Sequence, residues 1–303
     1  MTSPVLLLGG SGFVGRSVTA RLIEHGHPVV IPTRRLVRPD RVARMPAVQW
    51  VQGSVHNGPF LEKLCRDIGP SGAVINLVGI LHDRPGKPYG AEFKSAHVDL
   101  VRLLVDSMTA AGVRRLVHMS ALGADSKGPS MYQRSKGEGE GLVRSSRLDW
   151  TLFRPSVIFG RRDNFINLFS KLATHFPLFP LACGRAKFQP VSVENVAEAI
   201  VRSLDMPHTV GQSYDLAGPE VWSLADLVRF AARRAGYDRP VLSLPCWIGS
   251  FQAFLLERLP GPPLMSRDNL ASMRSDNILP LGSQQVLDTV FGICPEPLES
   301  LAK

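Results

Sequence analysis

Three polar side chains in the middle of the sequence, Ser120, Tyr132 and Lys136, have types and spacing that suit proton transfer. Tyr132 and Lys136 stand four residues apart, so on a helix their side chains share one face. An ammonium there would lower the pKa of the phenol from its usual value of about 10 and make it an acid or base near neutral pH. Ser120 would hydrogen-bond a substrate carbonyl. The spacing therefore predicts a catalytic group, although Tyr-x-x-x-Lys alone occurs often by chance.

A glycine-rich segment near the N-terminus has the form of a phosphate-binding loop. It follows an apolar run and precedes an amphipathic segment, which is the context such a loop requires. Gly9 would permit a tight turn, Gly12 would let the backbone approach a pyrophosphate, and Gly15 would allow close packing of helix on strand. The loop consists of Gly9, Gly10, Ser11, Gly12, Phe13, Val14 and Gly15. It predicts a bound dinucleotide.

Two arginines bear on which dinucleotide is bound. An Asp or Glu at the end of the second strand would hold the ribose 2′-hydroxyl of NAD, but Arg34 and Arg35 stand there. A guanidinium can bind a 2′-phosphate through charge-assisted hydrogen bonds. We therefore expect NADP(H) to be preferred and NAD(H) to be the weaker alternative. Either arginine could also be a solvated surface residue, and Asp40 lies too far along to be the ribose acid.

The elements that must position these residues are readable from the hydrophobic pattern. Apolar runs alternate with segments of helical period up to about Ser120, which is typical of βαβ units. Helices are expected at Val14 to His25, at Phe93 to Ala111 and from Tyr132 to about Ser145. The predicted strands are Val5 to Leu8, Val29 to Pro32, Val48 to Gln52, Ala73 to Val78, Leu116 to Met119 and Thr151 to Arg154. The prediction is an α/β, Rossmann-like, doubly wound parallel sheet.

The second half of the chain has a different amino-acid composition. After Gly160 it becomes rich in Phe and Pro, as in Phe176 to Pro180, which predicts short elements and a smaller C-terminal α+β region. No flexible linker separates the two parts, so we expect them to pack together. The NADP(H)-binding domain is accordingly predicted to cover residues 1–160.

Composition excludes several classes of protein. The four cysteines are far apart and lie near no histidine cluster, so neither a metal site nor a disulfide framework is expected. The N-terminus lacks the pattern of a secretory signal, and a cytoplasmic location is the simplest expectation. The net charge of +9 suggests an anionic partner. The arginines are scattered without interleaved aromatics, so nucleic acid is not expected to be that partner.

One apolar segment near the C-terminus raises the question of a membrane. Residues Pro240 to Leu256 carry no charge, but the segment is short for a bilayer span and contains prolines. The simpler interpretation is a buried helix. The alternative is that Trp247 to Leu256 makes a peripheral contact with a membrane, with a protein complex or with a lipophilic substrate.

The motifs together resemble the short-chain dehydrogenase/reductase superfamily in its extended and atypical branches. The resemblance rests on the glycine loop, the catalytic group and three further segments: Asn76 to Gly79, Arg154 to Gly160 and Gln189 to Ala197. More narrowly, Arg154 to Gly160 followed by Arg162 to Asn167, with Pro263 to Leu270 later on, looks like the nucleotide-binding accessory subunit of mitochondrial complex I and its bacterial relatives.

This resemblance carries further expectations. Asn76 and Val78 would line the adenosine and ribose side, Pro155 would border the nicotinamide, and Lys136 would hold the nicotinamide ribose. The chain would return to the nucleotide-binding domain at about 186–215, which leaves 161–185 and 216–303 as the smaller region for substrate or partner.

The sequence also departs from the superfamily pattern. Leu8 replaces the Thr that often precedes the first glycine, and Ser54 replaces an acid after the third strand, which weakens one adenine contact. The helix Asn of many members is His97 here, which we interpret as a packed or solvated residue rather than a catalytic one.

Three functions remain open on the sequence alone. The first is an NADP(H)-dependent oxidoreductase acting on a carbonyl or hydroxyl substrate. A lipophilic or quinone-related molecule is one candidate for that substrate. The second is a non-catalytic protein that holds NADPH in a respiratory or quinone-biosynthesis complex, in which case the protein would lie at the inner face of a membrane. The third is a nucleotide-sugar epimerase or dehydratase, which would use NAD and so conflicts with Arg34.

Overall fold

A computed structural model of the chain describes residues 3–35, 46–245, 249 and 266–302. One sheet contains seven parallel strands, which are β1 (Val5–Leu8), β2 (Val29–Thr33), β3 (Val48–Gln52), β4 (Ala73–Asn76), β5 (Arg115–Met119), β6 (Asp149–Pro155) and β11 (Gln212–Leu216). Their order in the sheet is β3-β2-β1-β4-β5-β6-β11. The order is that of a doubly wound nucleotide-binding sheet, so the predicted fold class is confirmed. The six predicted strands are all present, with ends that differ by up to two residues.

Helices cover both faces of this sheet. Successive side chains of a strand point to opposite faces, and β1 accordingly sends Val5 and Leu7 into one core and Leu6 and Leu8 into the other. The first core lies under α1 (Phe13–Glu24) and α7 (Val193–Leu204), and the second lies under α2 (Gly58–Ile68), α4 (Leu100–Ala111) and α5 (Met131–Ser145). All four side chains of β1 are completely buried, which explains why its sequence reads as a continuous apolar run.

The continuous helix predicted from Phe93 to Ala111 is wrong in its first third. A short helix α3 (Ala91–Phe93) leads into a π-helical turn over Lys94–Asp99, and only then does α4 begin. Gly112 ends α4 in the left-handed conformation, at φ +73°, as expected of a glycine after a helix. Such π-helical turns occur frequently at functional sites, and this one contains His97.

The chain passes through a smaller region and comes back to the sheet. Helix α7 packs beside α1, where the Ser17 hydroxyl donates to the Glu194 carboxylate at 3.0 Å. Strand β11 then adds to the edge of the sheet next to β6. The chain therefore contributes to the sheet layer within the stretch predicted at about 186–215, although the limits given for the two regions stay predictions.

Short strands and helices make up the smaller region. Its strand pairs are β7 (Ile158–Phe159) with β10 (Val191–Ser192), β8 (Phe179–Ala182) with β13 (Val241–Leu244), and β9 (Lys187–Phe188) with β12 (Trp222–Ser223). Its helices are α6 (Ile166–His175), α8 (Leu224–Arg234) and α9 (Arg267–Ser272), with a 3₁₀ turn at Leu298–Ala302. In contrast, α10 (Val286–Thr289) packs on the first core beside β11, and the 3₁₀ turn at Pro207–Thr209 lies against α7 and β11. Aromatic side chains fill the core between α6 and α8, including Phe169 and Phe179, whose ring centroids lie 6.4 Å apart.

Two expectations about this region need correction. Cys183 is disulfide-bonded, so the expectation of no disulfide is wrong. The segment expected to be a helix from Pro240 begins instead as strand β13, and Trp247 to Leu256 lies outside the described residues except for Gly249. In the part of the chain that the structure covers, we find no helix with the length and apolar character to cross a bilayer.

Candidate active site

The glycine loop leaves the N-terminal end of α1 open to an anion. Its N-cap is Gly12, no side chain caps the first turn, and that turn contains no acidic residue. Gly9 has φ +83°, which favours glycine, and a Cβ on Gly15 would lie 2.2 Å from the carbonyl oxygen of Gly9. Free backbone amides and the positive end of the helix dipole suit a phosphate. The loop therefore fits a dinucleotide pyrophosphate.

The other loop residues have distinct surroundings. A Cβ on Gly10 would approach the side chain of Ile31 to 2.8 Å, so this glycine allows the loop to pack on β2. Ser11 is exposed, and its carbonyl accepts a hydrogen bond from the Arg16 guanidinium at 3.3 Å. The Phe13 ring lies against Gly160. Val14 packs onto the first core.

Arg34 and Arg35 lie at the carboxyl end of β2, on the same edge of the sheet as the glycine loop. The Thr33 hydroxyl donates to the carbonyl oxygen of Arg35 at 2.7 Å and fixes this turn. Both arginine side chains are exposed. The structure thus brings two guanidinium groups to the edge where nucleotides bind in this fold.

Lys136 lies deep in the site, on α5. Its ammonium donates to the carbonyl oxygen of Met119 at 3.2 Å, beside Ser120. A Cβ on Gly79 would lie 3.2 Å from the same ammonium, so Gly79 lets the turn after β4 approach the lysine. Burial lowers the pKa of Lys136 to about 8, against the opposing charge of Glu140. The lysine lies at the ends of β4 and β5, as its expected contact with a ribose requires.

Tyr132 lies one turn before Lys136, and its pKa moves in the direction opposite to the prediction. Its ring packs edge-on against Phe93 and His97, with centroid distances of 6.0 Å and 5.7 Å. Burial raises the pKa of Tyr132 to about 12. The expectation that Lys136 depresses this pKa is therefore wrong here, because removal from water disfavours the phenolate.

The Ser120 hydroxyl is buried and has no hydrogen-bond partner among the described residues. The residue follows β5, and its backbone N–H donates to the carbonyl oxygen of Phe153 at 2.7 Å. A buried hydroxyl without a partner costs folding free energy, so nearly all such groups in proteins are satisfied. Within the described part of the chain, Ser120 is therefore a donor without an acceptor.

His97 connects the turn after β4 to the helix that carries Tyr132. Its Nε2 accepts from the backbone N–H of Ile80 at 3.1 Å, so Nδ1 carries the proton and donates to the Ser135 hydroxyl at 2.8 Å. The Ser135 hydroxyl in turn donates to the carbonyl oxygen of Tyr132 at 3.0 Å. Burial, together with the charge of Lys136, lowers the pKa of His97 to about 2. The imidazole is thus a neutral, packed residue.

Asn76 and Pro155 shape the backbone around the site. The Asn76 amide nitrogen lies 3.1 Å from Nδ1 of His118, and its oxygen accepts from the backbone N–H of Val78 at 3.1 Å. Both polar groups of this buried side chain are thus used within the protein. Pro155 ends β6, and its carbonyl oxygen accepts from Leu122 at 2.9 Å. Both residues lie at the carboxyl ends of their strands, on the same edge of the sheet as the glycine loop and Lys136.

Sequence reasoning missed two residues of the C-terminal segment. The Asp268 carboxylate accepts hydrogen bonds from the first two backbone N–H groups of α5, those of Met131 at 2.6 Å and Tyr132 at 3.1 Å. The Asn277 amide donates to Leu122 at 3.1 Å and accepts from the Ser156 hydroxyl at 2.6 Å. Asp268 lies within the segment Pro263 to Leu270 that contributed to the resemblance, and the local pattern there, a capping box around Ser266, predicts a helix start. It does not indicate contacts with residues so far away in the sequence.

Known proteins share both the sequence pattern and the fold. Residues 5–217 match the family described as the NAD dependent epimerase/dehydratase family. The chain is 30% identical over 302 residues to NADH dehydrogenase (ubiquinone) 1 alpha subcomplex subunit 9, mitochondrial, of Mus musculus, which covers 97% of this chain and 77% of that protein. This match confirms the resemblance to the complex I accessory subunit that the motifs indicated.

Two further similarities extend the comparison. The chain is 24% identical over 237 residues to NAD(P)H azoreductase of Xenophilus azovorans, which covers 78% of this chain and 75% of that protein. A solved nucleoside-diphosphate-sugar epimerase from Staphylococcus aureus superposes with a TM-score of 0.74 at 16% identity, covering 99% of each chain. At that identity the similarity shows the fold alone.

Proposed function

The chain belongs to the NAD dependent epimerase/dehydratase family, and from that premise we propose that it is an NADP(H)-dependent oxidoreductase acting on a carbonyl substrate. The observation that carries this proposal is the buried Ser120 hydroxyl, which has no partner among the described residues and lies next to the carbonyl that Lys136 binds. A protein that only holds a nucleotide gains nothing from a polar group left unsatisfied at this position.

The cofactor would bind at the uncapped N-terminal end of α1. The pyrophosphate would lie over the backbone amides that follow Gly12, and the adenosine ribose would lie near the end of β2. Arg34 would bind the 2′-phosphate there, which is our reason for preferring NADP(H) to NAD(H). Lys136 would hold the nicotinamide ribose, with Pro155 bordering the nicotinamide and Val78 the adenosine side.

The catalytic residues divide the chemistry among them. The bound nicotinamide supplies the hydride. Ser120 donates a hydrogen bond to the carbonyl oxygen, and Tyr132 delivers its phenolic proton to that oxygen, so that the carbonyl becomes a hydroxyl group. The phenolate that is left takes up a proton from solvent. Burial raises the pKa of Tyr132 to about 12, so at neutral pH the phenol carries the proton that this step requires.

A second candidate follows from the similarity to the mouse complex I subunit, which extends over 97% of this chain. In this proposal the chain holds NADPH tightly as part of a larger assembly and does not turn it over. An epimerase activity is less well supported, because Arg34 stands where an acid would bind the ribose of NAD.

One set of measurements separates these candidates. The nucleotide is released from purified protein and identified by mass, and a panel of carbonyl compounds that includes quinones is then screened through loss of NADPH absorbance. We expect turnover that is abolished by Tyr132→Phe and retained by Tyr237→Phe, a matched change in the smaller region. Full turnover by Tyr132→Phe would remove this residue from the mechanism. A nucleotide that neither exchanges nor is oxidised by any compound would favour the second candidate.

A further inference from the structure

His56 lies beside Arg34 at the adenosine end of the expected nucleotide site. Thr33 pairs with Gln52 where β2 and β3 end, and the backbone N–H of Gly53 donates to the carbonyl oxygen of Thr33 at 2.9 Å. Arg34 follows Thr33 directly, and His56 comes three residues after Gly53. Both side chains are exposed. Two basic groups therefore project from adjacent loops at the same edge of the sheet.

The loop that carries His56 is held in a defined conformation. The Ser54 hydroxyl accepts a hydrogen bond from the backbone N–H of His56 at 3.3 Å, and Asn57 caps α2 through the backbone N–H of Phe60 at 3.0 Å. The imidazole Nδ1 lies 3.5 Å from the Ser95 hydroxyl. Nε2 has no hydrogen-bond partner within the described part of the chain.

Charge at this edge favours an anion. The positive charge of Arg34, after burial, contributes to lowering the pKa of His56, while Asp99 opposes it. Asp99 is itself paired with Lys94 at 3.2 Å. An anion bound to both groups offsets the repulsion between their positive charges. Ser54 contributes as well, because the acid that often occupies this position would repel such an anion.

We propose that Arg34 and His56 together bind the 2′-phosphate of the nucleotide, and that His56 strengthens the preference for 2′-phosphorylated nucleotides. The inference rests on the proposed cofactor and deepens it. Arg34 supplies a permanent charge and a planar pair of donors. His56 supplies a donor from the opposite loop and becomes protonated when the dianion binds.

The test compares 2′,5′-ADP with 5′-AMP, two ligands that differ by the 2′-phosphate alone, by titration calorimetry on the full chain. We expect His56→Gln to weaken the binding of 2′,5′-ADP by about tenfold, as for loss of one charge-assisted hydrogen bond, and to leave the binding of 5′-AMP unchanged. His208→Gln, at another exposed histidine, serves as the matched control and should change neither. Equal weakening of both fragments, no weakening of either, or no binding at all would overturn the proposal.

A second measurement reports on His56 directly. The pKa of its imidazole, followed by NMR during pH titration, should rise when 2′,5′-ADP is bound and should not change with 5′-AMP. An unchanged pKa would contradict direct contact with the phosphate. These results are independent of turnover. A protein that prefers 2′,5′-ADP through His56 but reduces no carbonyl would refute the oxidoreductase alone, whereas reduction with equal use of NADH and NADPH would refute the 2′-phosphate site alone.

Discussion

The carboxylate of Asp268 accepts a hydrogen bond from the backbone N–H of Tyr132 at 3.1 Å, across more than a hundred residues of sequence. Its other oxygen accepts from Met131, so one side chain satisfies the first two amides of α5. Its negative charge also lies at the positive end of the helix dipole. The start of the helix that carries Tyr132 and Lys136 is thus fixed by a residue of the C-terminal region.

Loss of this contact should loosen α5. We expect Asp268→Asn to lower the free energy of unfolding by about 1 kcal/mol, because one amide of the helix start loses its partner and the charge is removed. Urea denaturation of the full chain measures the change. Asp67→Asn is the matched control, since Asp67 forms only an exposed pair with Lys63 and should cost less than about 0.5 kcal/mol. Equal losses in the two variants would mean that Asp268 contributes no more than a surface charge.

Ser120→Ala should make the protein more stable and less active. Since the hydroxyl is buried without a partner among the described residues, its removal should raise the free energy of unfolding by roughly 1 kcal/mol. Turnover on a carbonyl substrate should fall about a hundredfold with the loss of this donor. Ser130→Ala provides the contrast, because Ser130 caps α5 and its loss should destabilise the protein by about 1 kcal/mol. A destabilised Ser120→Ala variant would show that the hydroxyl has a partner in solution.

Lys136 should make stability depend on pH in the alkaline range. Its pKa is about 8 when folded and 10.5 as a free side chain, so the unfolded state binds more protons between these values. Stability attributable to this lysine therefore increases as the pH rises from about 8 to 10.5. We expect Lys136→Met to be more stable than the parent protein at pH 7, by about 1 kcal/mol or more, with the difference shrinking by pH 10. Lys63→Met, at an exposed site, should show no such trend, and a constant difference for Lys136→Met would contradict the burial of its charge.

Gly15→Ala should disrupt the nucleotide loop. The new Cβ would lie 2.2 Å from the Gly9 carbonyl oxygen and 2.6 Å from the Gly10 Cα, and neither backbone atom can move aside cheaply. We expect a loss of about 2 kcal/mol in the free energy of unfolding and no measurable 5′-ADP binding by calorimetry. Gly141→Ala is a matched change in α5, where a Cβ meets nothing within 4 Å. That variant should be more stable by about 0.5 to 1 kcal/mol and bind normally.

Local patterns in the sequence were sufficient for much of the fold and for part of the site. The inner strands β1 and β4 are buried on both faces, so their apolar runs were visible without knowledge of tertiary contacts, as was the glycine turn between β1 and α1. The spacing of Tyr132 and Lys136 likewise needs only a helix. These features depend on neighbours in the chain, and for that reason they could be predicted.

Features that depend on tertiary packing could not be predicted from the sequence. The direction of the pKa shift at Tyr132 follows from burial, which the spacing to Lys136 does not reveal. The π-helical turn at His97 interrupts a segment whose hydrophobic pattern fits a continuous helix. Asp268 and Asn277 act on residues more than a hundred positions away, and one sequence carries no signal for such a pairing.

The contacts of Asp268 and Asn277 also set an order of events during synthesis of the chain. The glycine loop, β1 and α1 leave the ribosome first, and the strands through β6 follow well before residue 268. A nascent chain could thus hold its nucleotide while the start of α5 has its Ser130 cap but still lacks the carboxylate of Asp268. Tyr132, which donates the proton, would be held in place only after the last part of the polypeptide has been made. Catalytic activity would therefore appear later than cofactor binding.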